Sequence, residues 1–534
     1  MNTYPTQKKK FLFIPANPTP NGRLHLGHIA GPYLRLDMYS RYLKTCGHTV
    51  HMMFGTDAFD SHVDAKASKL GHSANELATQ NYELIQEDLR ALNIGVDAFV
   101  NPLSDAYSSA FTHTHQAVMN ELEARNLLMT KSDPVPYSVA SNTFPIPAEV
   151  HGYCPNCQSP MAGYGCESCG LHLPPKRVGQ LKDKRGADLK LMRVEQVFVQ
   201  TEKLRVSERD FEHQGLAPEF KQVIADHFQH VGGYFRLTNS TTRGVPWKNS
   251  ILLNSSHLFA YMLFLGELYA QVNQTTNPIE KRSDVHIVSG FGIDNIVPHV
   301  IHKRMMSKAL PTYKHGDSFI INHFLLLEGE KFSTSRGHAI WASDIIEDTP
   351  VQSDGLRLYM AHLNTSKPNQ SFDIESFVRY YNDAYLTQIV HRVMAAFDHI
   401  KCMEQDHKPS AATMDETKSI TQAIDKAFDT TQYDTTQIAH ILTDFWMDYT
   451  PDRQAYWRLK SFCVIGYSVL PDLCQELWTA LGETGIPLIE RLHMNTAIVD
   501  LQTWHTARLH TSDLNNCLPE TLRTHNIQIH DTTY

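Results

Sequence analysis

A parallel, doubly wound α/β sheet, interrupted by a cysteine-rich insertion and followed by an α-helical bundle, is the architecture this 534-residue sequence predicts. Three observations carry it. Short apolar runs at residues 11–14 and 49–54 flank a helical pattern, which makes a βαβ unit. The same rhythm returns with apolar runs at 285–288 and 318–324. From about residue 374 to 485 the apolar spacing turns helical throughout, as in an antiparallel bundle.

A chain of this length forms two to four domains, each able to bury its own core. The expected division is 1–134, 135–245, 246–373 and 374–534: the two halves of a Rossmann-type domain around a connective insertion, then a helical domain ending in a polar tail. Hydrophobic content of 42% and charged content of 20% are those of a globular protein. No apolar run reaches the roughly 18 residues of a membrane span. Lys8, Lys9 and Lys10 precede an apolar stretch that stops at Pro15, too short for a secretory signal, so a cytoplasmic location is expected. Cys46, Cys402, Cys463, Cys474 and Cys517 are scattered, as in a reducing compartment. The net charge of −9 is uneven: residues 375–534 hold 21 acidic against 12 basic side chains, and the rest is balanced. The last third therefore lacks the overall basic character of a nucleic-acid-gripping surface.

In chain order, the first strand ends in a loop holding Pro15, Pro18, Pro20 and Gly22, which excludes regular structure. His25-Leu26-Gly27-His28 follows, where a strand end meets a helix start and backbone N–H groups favour phosphate oxygens. His25 and His28 share one helical face and can donate hydrogen bonds to phosphate, and Gly27, without a Cβ, lets a nucleotide lie against the backbone. A mere pair of surface histidines is the plainer reading, and the loop and strand in front of them weigh against it. The second strand ends in Gly55-Thr56-Asp57.

Cys154-x2-Cys157 and Cys166-x2-Cys169 then form a four-thiolate set that favours one closed, tetrahedral, structural Zn²⁺, with Gly165 and Gly170 suited to the knuckle turns. A basic stretch follows: Lys176, Arg177, Lys182, Lys184, Arg185, Lys190 and Arg193. About three hundred residues after His28 comes Lys331-Phe332-Ser333-Thr334-Ser335-Arg336-Gly337, a glycine-flanked loop with a lysine and three hydroxyls. Such a loop suits closure over a triphosphate, with Lys331 stabilising charge at the α- and β-phosphates during in-line attack. Beyond residue 503 no period is visible, and partial disorder is expected there.

The histidine and lysine motifs together resemble the HIGH and KMSKS signatures of class I aminoacyl-tRNA synthetases. PANPTPNGRLHLGH (15–28), GTD (55–57), GFGID (290–294), GEKFSTSRG (329–337) and DGLRLY (354–359) resemble the methionyl type, across roughly residues 11–400. The resemblance implies an ATP-dependent, AMP-forming ligase that takes ATP with Mg²⁺, an amino acid and tRNA. It implies that His25 and His28 contact ATP phosphates and that Lys331, with Ser333 and Ser335, acts on the departing pyrophosphate. It further implies that Gly27, Gly292 and Asp294 hold the adenosine side and that Asp57 holds the α-ammonium. A zinc knuckle is also part of this resemblance.

The departures bear on substrate. Where the methionyl family supplies a Leu and a Tyr to the side-chain pocket, this chain has Asn17 and Thr19; where it has a Trp, this chain has Asn254, with the closing Tyr261 retained. The family's Phe-His pair falls on Pro298-His299. A pocket of Asn17, Thr19, Asn254 and His257 suits a more polar substrate than a thioether. Thr334 replaces the second lysine of KMSKS. The family's anticodon-reading Asn and Arg align with His391 and Ala395, and its Trp reader with Trp446 or Trp457. The sequence therefore predicts a divergent methionyl-type tRNA ligase with a pocket more polar than methionine calls for, and it does not fix the amino acid. Two further readings stay open: a paralog that uses the adenylate or charged tRNA for amide or ester formation, and a non-catalytic tRNA-binding or regulatory paralog.

Overall fold

The computed structural model describes residues 8–212, 215–241, 243–501, 504 and 506–523. Its centre is a five-stranded, all-parallel sheet: β1 (Lys10–Pro15), β2 (Thr49–Gly55), β3 (Ala98–Val100), β4 (Val285–Gly292) and β5 (Ser318–Asn322), in the order β3-β2-β1-β4-β5. β1 is the middle strand, with Phe13 in register with Met52 of β2 and Val288 of β4. Its apolar residues face both ways because both faces are covered. Phe11 and Phe13 join the core shared with helix α1 (Leu34–Thr45) and the bundle, whereas Leu12 and Ile14 join the core under helix α2 (Leu258–Asn273). Strand order reverses between β1 and β4, and such a switch point opens a crevice at the carboxyl ends of the strands.

The sequence resolves four of these strands to within a few residues. It misses β3, which has three residues and no room for a period. The insertion is carried on a two-stranded antiparallel ribbon, Leu128–Tyr137 against Lys190–Val199, and holds a small three-stranded sheet around the cysteines. After β5, Leu326–Leu327 and Glu330–Lys331 form a tight hairpin, with Glu328 at φ 49° and Gly329 at φ 78° in the two-residue turn.

Helices α3 (Ala342–Asp348) and α4 (Ser353–Leu363) lead into the bundle, whose helices run from Ile374 to Ala480. The joint is polar and buried. Arg357 of α4 has no exposed side-chain surface and donates to Asp37 Oδ2 at 2.7 Å and to the carbonyls of Leu92, Ser468 and Val469 at 2.8–2.9 Å. Burial alone would raise the Asp37 carboxyl, but Arg41 and Arg357 outweigh it and hold it below its ordinary value. The DGLRLY stretch is thus the rivet between sheet and bundle.

The described part of the tail, up to Arg523, is docked. Leu509, Leu514, Cys517 and Leu518 are buried in the main core, and Thr511–Cys517 forms a 3₁₀ turn. Trp504 donates to Gln352 Oε1 at 2.8 Å, and Asn382 and Leu509 exchange hydrogen bonds of 2.8 and 2.9 Å. A few widely spaced leucines suffice to dock a chain that has no helical period. Residues 524–534 lie outside the described residues.

His115, His227, His299 and His302 are deeply enclosed, and burial pushes all four below the ordinary value, His227 to about 3. The unfolded chain therefore takes up protons that the folded sites refuse. Stability is full above about pH 6.5 and falls as pH drops toward 3, by up to about 1.4 kcal/mol per pH unit for each such histidine. Thermal denaturation should show Tm several degrees lower at pH 5 than at pH 7.5; a flat profile would contradict this.

Candidate active site

The crevice is built where β1 and β4 end. Pro15 stops β1, and the Ala16 N–H still donates to the Gly290 carbonyl at 2.7 Å before the chain turns away. Helix Leu26–His28 then begins with His25 as its N-cap: His25 Nδ1 accepts from the His28 N–H at 3.2 Å. The neutral His25 ring therefore carries its proton on Nε2. His25 and His28 stack with centroids 3.6 Å apart and planes 10° apart. Burial and then the neighbouring imidazole push His25 well below the ordinary value. His28 has an exposed edge, yet crowding by the crevice walls and then the Lys331 ammonium bring it to about 4. Both rings are neutral N–H donors at physiological pH.

The two sequence motifs meet directly. Phe332 stacks on His25 at 4.9 Å, Leu26 N–H donates to the Ile340 carbonyl at 2.9 Å, and His25 bridges Trp341. A Cβ on Gly27 would fall 2.9 Å from the Phe332 ring, so the closed loop requires glycine there as much as any nucleotide would. Lys331 sits 5.0 Å from the Phe324 ring and forms an ion pair with Glu167, between the last two cysteines. Ser333 closes the loop by exchanging backbone hydrogen bonds with His338; the Ser335 side chain lies outside the described residues.

Gly292 and Asp294 stand at the end of β4. Burial first, and then the Glu167 carboxylate, raise the Asp294 carboxyl to about 6. The knuckle packs on this turn: His172 Nε2 is 2.7 Å from the Asp294 carbonyl, and a Cβ on Gly170 would fall 2.6 Å from the Ile293 carbonyl. Gly170 has φ 73° and meets its expected turn role; Gly165 has no positive φ and instead makes room for His172. The sulfurs of Cys154, Cys157, Cys166 and Cys169 lie within 4.8 Å of one another, with Cys154–Cys169 at 3.7 Å and Cys157–Cys166 at 3.5 Å. Those separations approach the tetrahedral edge of about 3.8 Å that a Zn–S bond of about 2.3 Å implies.

Beside the crevice, Asn17 Oδ1 accepts from the Gly55 N–H at 3.2 Å, which draws the proline-rich loop onto β2, and Thr19 lies half-buried two residues on. Asn254 Nδ2 donates to Asp57 Oδ2 at 2.6 Å, and Tyr261 donates to the Thr56 carbonyl at 3.1 Å. His299 is buried and stacked on Phe291 at 4.7 Å. Lys331 and Phe332 thus sit with His25 and His28, and Asn254 and Tyr261 with Thr56 and Asp57, whereas His299 contacts Phe291 and Lys303. Sequence reasoning missed Glu167, His115 and Lys303. Lys303 is fully enclosed, lies 3.2 Å from His299 Nδ1, and burial lowers it to about 7; its i+4 spacing from His299 was the available signal.

The crevice at the switch point thus holds an HxGH turn under a lysine-bearing loop, on a parallel α/β sheet. Residues 12–394 match the family described as tRNA synthetases class I (M), and the chain belongs to that family. A methionine–tRNA ligase from Parabacteroides distasonis is 24% identical over 409 residues, covering 73% of this chain and 58% of that protein. One from Chlamydia trachomatis is 26% identical over 410 residues, 73% of this chain and 72% of that protein. The chain spans little more than half the length of the first curated relatives it matches. Mycobacterium tuberculosis methionyl-tRNA synthetase, solved with methionyl-adenylate bound, shares the fold at TM-score 0.69 and 15% identity over 93% of this chain and 99% of that one. No helix among the described residues is long and apolar enough to cross a membrane.

Proposed function

We propose that this protein activates an amino acid other than methionine with ATP, forming aminoacyl-adenylate and pyrophosphate, and passes the acyl group to the 3′ end of a tRNA. The junction of the two motifs, with Phe332 seated on His25 and Lys331 beside it, is the observation that carries the reading. In the reaction, a carboxylate oxygen of the amino acid attacks the α-phosphorus in line and the bond to the bridging oxygen of the β-phosphate breaks. His25 and His28, as neutral N–H donors, would hold phosphate oxygens. Lys331, with Ser333 and Ser335, would offset charge growing on the departing pyrophosphate. Asp57 would take the α-ammonium, with Asn17, Thr19, Tyr261 and His299 around the substrate. Gly27, Gly292 and Asp294 would seat the adenosine.

The substrate change rests on Asn254, a small polar amide bonded to Asp57 in the place where an indole would present a broad apolar face. One Zn²⁺ on the four cysteines would order the knuckle that packs against Asp294. A tRNA acceptor is favoured by the basic side chains from Lys176 to Arg193, all exposed. Anticodon reading in the family manner is not favoured. Trp446 and Trp457 are each 1% exposed and cannot stack on a base, while His391 and Ala395 stand on the helix surface.

Amino-acid-dependent ATP–pyrophosphate exchange across the twenty amino acids, followed by tRNA charging, tests this. Exchange with one non-methionine amino acid and labelled tRNA are expected. Exchange with methionine alone would overturn the substrate change, an adenylate that labels no tRNA would move the reading to a specialised acyl transfer, and no exchange at all would leave a binding protein.

A further inference from the structure

Arg35 is a buried cation without a counter-ion. It stands on α1 after the His28 turn, is 3% exposed, and burial brings its guanidinium down to about 10. Nη1 donates to the Ile321 carbonyl at 2.8 Å, Nη2 donates to the Ser366 hydroxyl, and Nε has no partner. The guanidinium carbon lies 4.6 Å from the centre of the Tyr433 ring. Nη1 and Nη2 each spend one N–H on a neutral oxygen, and among the described residues no carboxylate pairs with this side chain. Arg41, Arg236 and Arg357, the other buried arginines among those residues, each reach a carboxylate at 2.7–3.3 Å. Burying an ion without its opposite is costly, so Arg35, unlike them, calls for a negative guest.

There is room for one. Arg35 lines a cavity of about 200 Å³. A water takes up roughly 10–15 Å³ of such space, so the cavity can hold a polyatomic guest. Three parts of the molecule wall it: β5, the outermost strand of the sheet, the insertion from Gly215 to Phe220, and the bundle loop from Thr430 to Asp434. Two carboxylates also face it, and both are engaged elsewhere. Glu219 faces His323 at 3.9 Å, and Asp434 accepts from Asn364 Nδ2 at 2.9 Å and from the Gln437 N–H at 3.2 Å. Lys367 adds a second cation to the lining, 61% exposed and no closer than 3.9 Å to Asp434, so its ammonium can turn inward at little cost.

We infer that this cavity is a second, non-catalytic site, for a small free oxyanion of the phosphate or carboxylate class, held by the Arg35 guanidinium with Lys367 beside it. A planar guanidinium suits the oxygens of either group. The phosphates of a folded nucleic acid cannot follow Arg35 this far in, so the guest is a free ion. The same guanidinium holds Ile321 of β5 and Ser366, and its ring partner Tyr433 belongs to the bundle loop, so an occupied site braces the sheet edge against the bundle. Nothing here depends on which amino acid the crevice activates, or on whether it activates one.

The test is equilibrium dialysis of the full-length protein with labelled inorganic phosphate and, separately, labelled acetate, at constant ionic strength. A non-hydrolysable ATP analogue is present to fill the nucleotide crevice. One equivalent of phosphate or acetate per chain is expected, and the analogue should not displace it. Arg35→Met should weaken this binding about tenfold or more, since a charge-assisted contact is lost. The ion that binds should also raise Tm of the unaltered protein and leave that of Arg35→Met where it was. Glu219→Gln, at an exposed position that folding tolerates, should strengthen binding a few-fold by removing a like charge from the wall. Binding of neither ion, or binding that the analogue abolishes, overturns the inference. Should Arg35→Met fail to fold, Glu219→Gln decides alone, and unchanged affinity there overturns it as well.

Discussion

Replacing Lys331 with alanine is expected to lower amino-acid-dependent pyrophosphate exchange about a hundred- to a thousandfold, with little change in fold. The side chain is exposed and its visible partners are the Glu167 carboxylate and the face of Phe324, so the core loses nothing. Such exposed pairs contribute about 0–1 kcal/mol. What is lost is a cation at the point where pyrophosphate takes up charge, which removal of a single preorganised group typically costs about 3–4 kcal/mol of barrier. With Thr334 in the place of a second lysine, the loop's other cation is Arg336, whose guanidinium donates to the Lys331 carbonyl at 3.1 Å. Glu167→Gln is the informative companion. Glu167 occupies Lys331 where a triphosphate would, so its neutral variant should lower KM for ATP by up to a few-fold. Unchanged exchange in Lys331→Ala would remove the lysine from the reaction altogether.

Cys166→Ser should abolish stoichiometric zinc and disable adenylation more thoroughly than any single change in the nucleotide crevice. Structural four-thiolate sites supply about 10–16 kcal/mol of apparent folding free energy in small zinc modules, so a missing ligand unfolds the segment it orders. Here that segment packs on the turn bearing Asp294, through His172 and Gly170. Gly170→Val separates metal from docking. It keeps four cysteines but places a branched side chain on a left-handed backbone against the Ile293 carbonyl. It is expected to retain one zinc by metal analysis and to raise KM for ATP at least tenfold. A variant with normal KM would show that the knuckle and the adenosine turn are independent.

Much of this was legible in the sequence because backbone requirements leave dense signatures. β1 is buried on both faces and reads as an unbroken apolar run, β2, β4 and β5 read as mostly apolar ones, and the helix cap at His25 has to follow the strand within a short loop. Cysteine spacing gave the knuckle for the same reason. Three kinds of feature were not legible. β3 is too short to show a period. Contacts between distant segments, such as Lys331 with Glu167 or Phe332 with Gly27, depend on tertiary approach that no local pattern records. Burial of Trp446 and Trp457 belongs to the third kind. A tryptophan aligned with a base reader and a tryptophan filling a core look alike in sequence, and only packing separates them. His115 was hidden likewise, since a histidine on an apolar helix face is an ordinary core residue until its Nε2 is found without a partner.

The docked tail also reaches the motifs from behind. Cys517 Sγ reaches the carbonyl of Asp344 in α3, and the Asp344 side chain holds Arg23, two residues before His25. α3 is also the rear anchor of the lysine-bearing loop, which ends at Trp341. The tail therefore backs the loop at one remove, through α3. Loss of Cys517 and of Leu514 and Leu518 beside it would open the main core behind this loop as well as release α3.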